Sequence, residues 1–210
     1  MKLHSSLANV VNVVAAVSAA MTLSIAVAQP LESPWQQSYR LEGAGKYQEA
    51  IAAIDSTPAN GPDAEFKLLR RAWLYYLPGN FNESIREYKL AIERNGKSLD
   101  ARLGVLLPLL ALKRWREAEQ GARAALELSP NNYTALLRLA IAQEAQRDWG
   151  PMAKTAATLV ETYPSDASAY VYLARAQAWL GKRDEAIAAY SAVLTRFPGH
   201  LEAKAYLEKQ

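Results

Sequence analysis

The sequence contains no cysteine, which excludes disulfides, thiolate metal sites, cysteine nucleophiles and a lipid-modified N-terminal cysteine. Stability must come from packing. Histidine is nearly missing too: His4 and His200 are the only two, and one of them lies in an N-terminal segment expected to be removed. A histidine metal cluster or catalytic triad cannot be built from the single imidazole that remains. Charge of one sign is also lacking, with 24 Lys and Arg against 21 Asp and Glu, alternating along the chain. Nucleic acid would call for a concentrated basic stripe, so it is not an expected partner. No glycine-rich phosphate loop, G-x-S-x-G elbow or metal-ligand spacing occurs. The carboxylate pairs Glu117/Glu119 and Asp184/Glu185 read as a solvated helix face. The expectation is a protein that is not an enzyme and takes no cofactor or metal.

What is present begins with an address. Residues 1–28 place Lys2 and the free amino group ahead of an apolar stretch that closes on Ala26-Val27-Ala28, the layout of a secretory signal peptide cleaved before Gln29. Pro30 and Pro34 then discourage continuation of a helix. The rival reading is a retained anchor, since residues 7–27 number 21 and a spanning helix needs about 20. Asn9, Asn12, Ser18, Thr22 and Ser24 interrupt that stretch and favour cleavage. Either way the folded part is expected outside the cytoplasm, periplasmic or secreted, with membrane contact only through an uncleaved signal peptide.

Hydrophobic residues make up 50 % of the whole sequence, and the remainder of the chain repeats itself. Pro62, Gly96, Pro130, Pro164 and Pro198 are spaced 34 residues apart. So are Tyr47, Phe81, Trp115 and Trp149, a series that ends in Arg183, and so are Ala50, Ser84, Ala118, Met152 and Ala186. Each unit reads as an apolar-periodic helix A, a short turn, a helix B and a helix-stopping proline or glycine. The turn glycine is Gly45, Gly79 and Gly181, replaced by Lys113 and Arg147 in the third and fourth units. Ala72, Ala140 and Ala174 on helix A are expected to meet the small residues of helix B.

In its period and its Ala/aromatic/Pro signature the chain resembles the tetratricopeptide repeat family over residues 31–200, most clearly in FKLLRRAWLYYLPGNFNESIREYKLAIERNG and AYVYLARAQAWLGKRDEAIAAYSAVLTRFPGH. The resemblance implies an all-α, right-handed α-solenoid of five helix-turn-helix units: 31–64 (degenerate), 65–98, 99–132, 133–166 and 167–200. A capping helix, 201–210, would close it. Leu106 stands where the family prefers Gly or Ala, Met152 where it prefers Ala, and the first unit has Ser38 and Leu41 in place of its usual residues. Pro108 falls inside an unusually apolar helix, LGVLLPLLAL, where a kink is expected.

The family binds a protein or peptide along the concave face formed by its A helices. Carried onto this sequence, the groove candidates are Leu69, Arg70, Trp73 and Tyr76 in the second unit and Leu103, Leu107 and Leu110 in the third. The fourth supplies Leu137, Arg138, Ile141 and Glu144, and the fifth Val171, Tyr172, Arg175 and Trp179. Apolar helix residues are more often core than surface, and the arginines could equally be solvated or paired with Glu144. No unit carries the Lys/Asn set with which some family members hold a chaperone's C-terminal carboxylate. The expected function is an envelope scaffold for a protein or peptide segment; the alternative is a self-associating homo-oligomer.

Overall fold

Helix boundaries in this chain fall on signals that recur with the repeat. The computed structural model describes residues 32–209; the expected signal peptide lies outside the described residues. Among them are eleven helices: α1 (Pro34–Gly43), α2 (Tyr47–Asp55), α3 (Ala64–Tyr76), α4 (Phe81–Arg94), α5 (Leu99–Ala111), α6 (Trp115–Leu128), α7 (Tyr133–Gln146), α8 (Trp149–Thr162), α9 (Ala167–Trp179), α10 (Arg183–Arg196) and α11 (Leu201–Leu207). No strand occurs among the described residues. Ser98, Asn132, Asp166 and His200 each cap the helix that follows, their side chains accepting from the backbone N–H of Ala101, Ala135, Ser168 and Ala203 at 3.0–3.2 Å. Ser33 opens α1 with a reciprocal capping box involving Gln36.

The turn inside each helix pair is equally regular. Gly45, Gly79 and Gly181 have φ of +72°, +91° and +76°, and Lys113 and Arg147 adopt the same left-handed conformation at +57° and +60°. The N–H of the next residue then bonds a carbonyl five residues back, as from Arg114 to Leu109 and from Asp148 to Gln143, both 2.9 Å. The turn thus survives loss of its glycine, at a steric cost to an L-residue of about 1–2 kcal/mol.

Each helix packs on the next in sequence, and odd-numbered helices also touch one another, α3 with α5, α5 with α7 and α7 with α9. A two-layer stack whose one layer is close enough to touch curves toward that layer. The molecule over residues 32–209 is therefore an α-solenoid whose odd helices line the inner face. Between the layers lie Ala50, Ser84, Ala118, Met152 and Ala186, each at most 1 % exposed.

Two departures from small packing residues have local compensation. Leu106 is fully buried because α6 presents Gly121 to it; a Cβ there would stand 2.7 Å from Leu106 Cδ2. Gly104 accepts the ring of Tyr88, whose Cε1 lies 2.2 Å from where a Cβ would be. Large and small residues have exchanged helices at this joint. Helix α5 runs from Leu99 to Ala111 with Pro108 buried inside it.

Candidate functional site

The first odd helices hold a pocket of about 490 Å³. Its walls come from successive turns of α3, where Phe66, Leu69, Arg70 and Trp73 share one face. Tyr39 and Glu42 of α1 close one side, and Tyr88 and Asp100 the other. Tyr39 is 53 % exposed and Phe66 40 %, whereas Arg70 is only 5 % exposed and forms the floor.

Arg70 is held from three directions. Its Nε donates to Ser38 Oγ at 3.2 Å, its Nη1 donates to Glu42, and its guanidinium carbon lies 3.8 Å from the Tyr39 ring centre. Ser38, a departure from the expected packing residue, thus supplies an acceptor that the methyl of Ala would not. Arg70 Nη2 is buried with no acceptor among the described residues. An unsatisfied buried donor costs about 1–3 kcal/mol, more when charged.

Glu42 also accepts from Trp73 Nε1 at 2.8 Å, and the Trp73 ring stacks on Tyr76 with centroids 5.6 Å apart. Deeper in the wall, burial pushes the Tyr88 hydroxyl up to about 12, against the opposing pull of Arg138. Burial likewise lowers Arg138 from the usual arginine range, and its Nη1 donates to the Leu103 carbonyl of the preceding odd helix.

Further along the inner face, Arg175 donates from Nη1 to Glu144 at 3.0 Å and from Nε to Glu202 of α11 at 2.8 Å. The Glu202 hydrogen bond, with the Glu144 charge, holds Arg175 above its ordinary value although burial opposes this. All three arginines expected in the groove therefore bond neighbouring repeats. None is a freely solvated cation.

The remaining expected residues divide by exposure. Leu69, Trp73, Tyr76, Leu107, Leu110, Leu137, Ile141 and Tyr172 are half-buried. Leu103 and Leu110 pack against the central core cluster, and Val171 is core, 7 % exposed and packed with Ala174 and Tyr190. Trp179, 69 % exposed, leaves the rest and stacks on Trp149 with centroids 5.2 Å apart and planes 5° apart. Trp73 and Tyr76 share a face, whereas Tyr172 is joined to the cluster around Leu136 and Ala140. Tyr39, Glu42, Phe66, Tyr88 and Asp100 were absent from the sequence-based set. The repeat register could have found two of them: Tyr39 lies 34 residues before Trp73, and Glu42 lies 34 before Tyr76.

Similarity to known proteins runs along the same stack. The tetratricopeptide repeat family model matches residues 134–166 and 168–200. In structure the chain is similar to YrrB, described as a TPR protein with an unusual peptide-binding site, at TM-score 0.70 and 16 % identity over 84 % of this chain and 91 % of that one. Residues 134–200 of the chain carry tetratricopeptide repeats. The chain also resembles MamA, at TM-score 0.70 and 19 % identity over 83 % of this chain and 93 % of that one. A tetratricopeptide repeat protein from Parabacteroides merdae aligns at TM-score 0.73 and 16 % identity, over 85 % of this chain and 71 % of that one. At such identities the likeness carries the fold alone. No curated protein matches the chain by sequence. Tetratricopeptide-repeat proteins bind protein or peptide partners.

Proposed function

We propose that this protein is an exported, non-catalytic scaffold of the cell envelope that holds an extended segment of a protein or peptide along the inner face of its odd helices. The observation that carries the reading is the row of half-buried apolar side chains Leu69, Trp73, Leu107 and Ile141 on three successive odd helices, ending at the pocket of about 490 Å³. Pockets of roughly 300–1,000 Å³ with apolar walls and few polar groups are the usual form of a binding site. The five-unit division, with residues 201–210 as a cap, belongs to the same proposal.

Two inner-face variants test it. Ile141→Glu and Leu107→Glu place a charge in the row, and each should abolish partner retention while the far-UV melt stays cooperative. Retention by both variants would remove the inner face from the account. The address is tested separately by intact mass of protein recovered from the envelope. A chain beginning at Gln29 supports export with cleavage; a full-length chain in the membrane fraction supports the anchor instead.

A second reading, self-association into a homo-oligomer, draws on the C-terminal end. There Phe197 is 53 % exposed and Leu201 80 %. Light scattering across a concentration series separates the readings: a constant monomer mass removes the second.

A further inference from the structure

The pocket between α1, α3 and α5 has a chemistry more specific than that of a general peptide groove. Its floor holds one buried donor without an acceptor, Arg70 Nη2, while the other guanidinium nitrogens are engaged by Ser38 and Glu42. Its rim holds exposed aromatic surface at Tyr39 and Phe66. Asp100, on the first turn of α5, is exposed and has no ion-pair or hydrogen-bond partner among the described residues.

Counting charge fixes what can enter. The lining contains two carboxylates, Glu42 and Asp100, against the single guanidinium of Arg70. An incoming carboxylate would be a third acid on that surface, beside an arginine that already has its counter-ion. A neutral carbonyl satisfies Arg70 Nη2 without that repulsion, and a cation satisfies Asp100. Apolar walls then require an apolar side chain between the two.

Resting on the scaffold reading above, we propose that this pocket selects one apolar or aromatic residue of a segment flanked by lysine or arginine. The main-chain carbonyl of the apolar residue accepts from Arg70 Nη2, its side chain lies among Tyr39, Phe66 and Trp73, and the neighbouring cation faces Asp100. This runs opposite to capture of an acidic chain terminus, for which the pocket offers no spare positive charge.

The test uses three capped eight-residue peptides carrying a fluorophore, titrated with the purified protein at low salt. One has a central Phe-Leu pair flanked by lysines, the second the same pair flanked by glutamates, and the third a Gly-Gly centre flanked by lysines. The lysine-flanked Phe-Leu peptide should bind at least about tenfold tighter than either of the others, and the preference should weaken as salt is raised. Asp100→Lys, at an exposed position that should not disturb folding, should reverse the charge preference. Asp100→Asn should reduce it without reversal.

Equal affinity for the lysine and glutamate peptides, or a lysine preference that persists in Asp100→Lys, overturns the proposal. Equal binding of the Gly-Gly peptide overturns the apolar part and with it the pocket. If the peptides show no such selection while Ile141→Glu still abolishes partner retention, the pocket inference falls and the scaffold reading stands. If Ile141→Glu also leaves retention intact, both fall.

Discussion

Arg175 donates to Glu144 across 3.0 Å, and this pair sits in the same repeat positions as Trp73 and Glu42, which are joined by a hydrogen bond of 2.8 Å. In both, a residue in mid-helix reaches back to a carboxylate near the end of the preceding odd helix. The same geometry is thus served by an indole at one end of the stack and by a guanidinium at the other. Inner-face polar groups here join neighbouring repeats, and several consequences can be measured.

The first concerns the turns. Arg147 holds φ +60° without the freedom of glycine. Arg147→Gly relieves a strain of about 1–2 kcal/mol but adds glycine's unfolded-state entropy, about 0.5–1 kcal/mol. A net gain of about 0.5–1 kcal/mol should appear as a higher urea midpoint with an unchanged slope. A lower midpoint would show that the arginine side chain contributes more than its backbone costs.

Leu106 and Gly121 should behave as one unit. Leu106→Ala leaves a cavity and should cost about 2–5 kcal/mol. Gly121→Ala in the wild-type background must push Leu106 aside and should destabilise, whereas in the Leu106→Ala background the gain in helix propensity of about 1 kcal/mol should emerge. A double-mutant cycle in urea reads the sign change. Additive effects would mean that the two residues do not share the space.

Much of this was legible in the sequence because the period fixes many positions at once. The fold class, the turn positions of Lys113 and Arg147 and the shared face of Trp73 and Tyr76 all follow from a spacing of 34 and a helical period. The size exchange between Leu106 and Gly121 was not legible, since it depends on which residue of another helix faces Leu106. The bonding of the arginines was legible only in part: pairing with Glu144 was one of two readings and holds for Arg175, whereas the partners of Arg70 and Arg138 were not named, since a periodic pattern places a side chain on a face but does not show what its tip reaches. The pocket's Tyr39 and Asp100 were missed because the groove was read from the second unit onward and from apolar positions first.

The two groove tryptophans should separate. Trp179 is 69 % exposed and stacks on Trp149, so Trp179→Ala should lose about 0.5–1.5 kcal/mol. Trp73→Ala removes both the Tyr76 stack and a hydrogen bond to Glu42, and about 1–3 kcal/mol is expected. Thermal and urea melts on the two variants decide; a larger loss at Trp179 would contradict the placement of both.

Acid should loosen the C-terminal end. Hydrogen bonding from Arg175 holds the Glu202 carboxyl below its ordinary range, with burial opposing and a further bond from Tyr190 assisting. A depressed carboxylate pKa stabilises the fold fully above the unfolded value of about 4.3 and loses that contribution as pH falls through the folded value. Wild type should therefore exceed Glu202→Gln in urea midpoint at about pH 7, with the gap closing below about pH 4. A gap that widens on acidification would contradict the sign.

The central claim is that partners lie along the inner face of the odd helices. Its most direct measurement places a photo-crosslinking residue at Leu107 on α5 or at the exposed Ala157 on the outer helix α8, one site per variant, followed by irradiation in envelope extract and mass spectrometry of the adducts. One partner segment should crosslink from Leu107 and not from Ala157, and an excess of unlabelled protein should compete that adduct. Adducts of the same partner from Ala157 with none from Leu107 would contradict it.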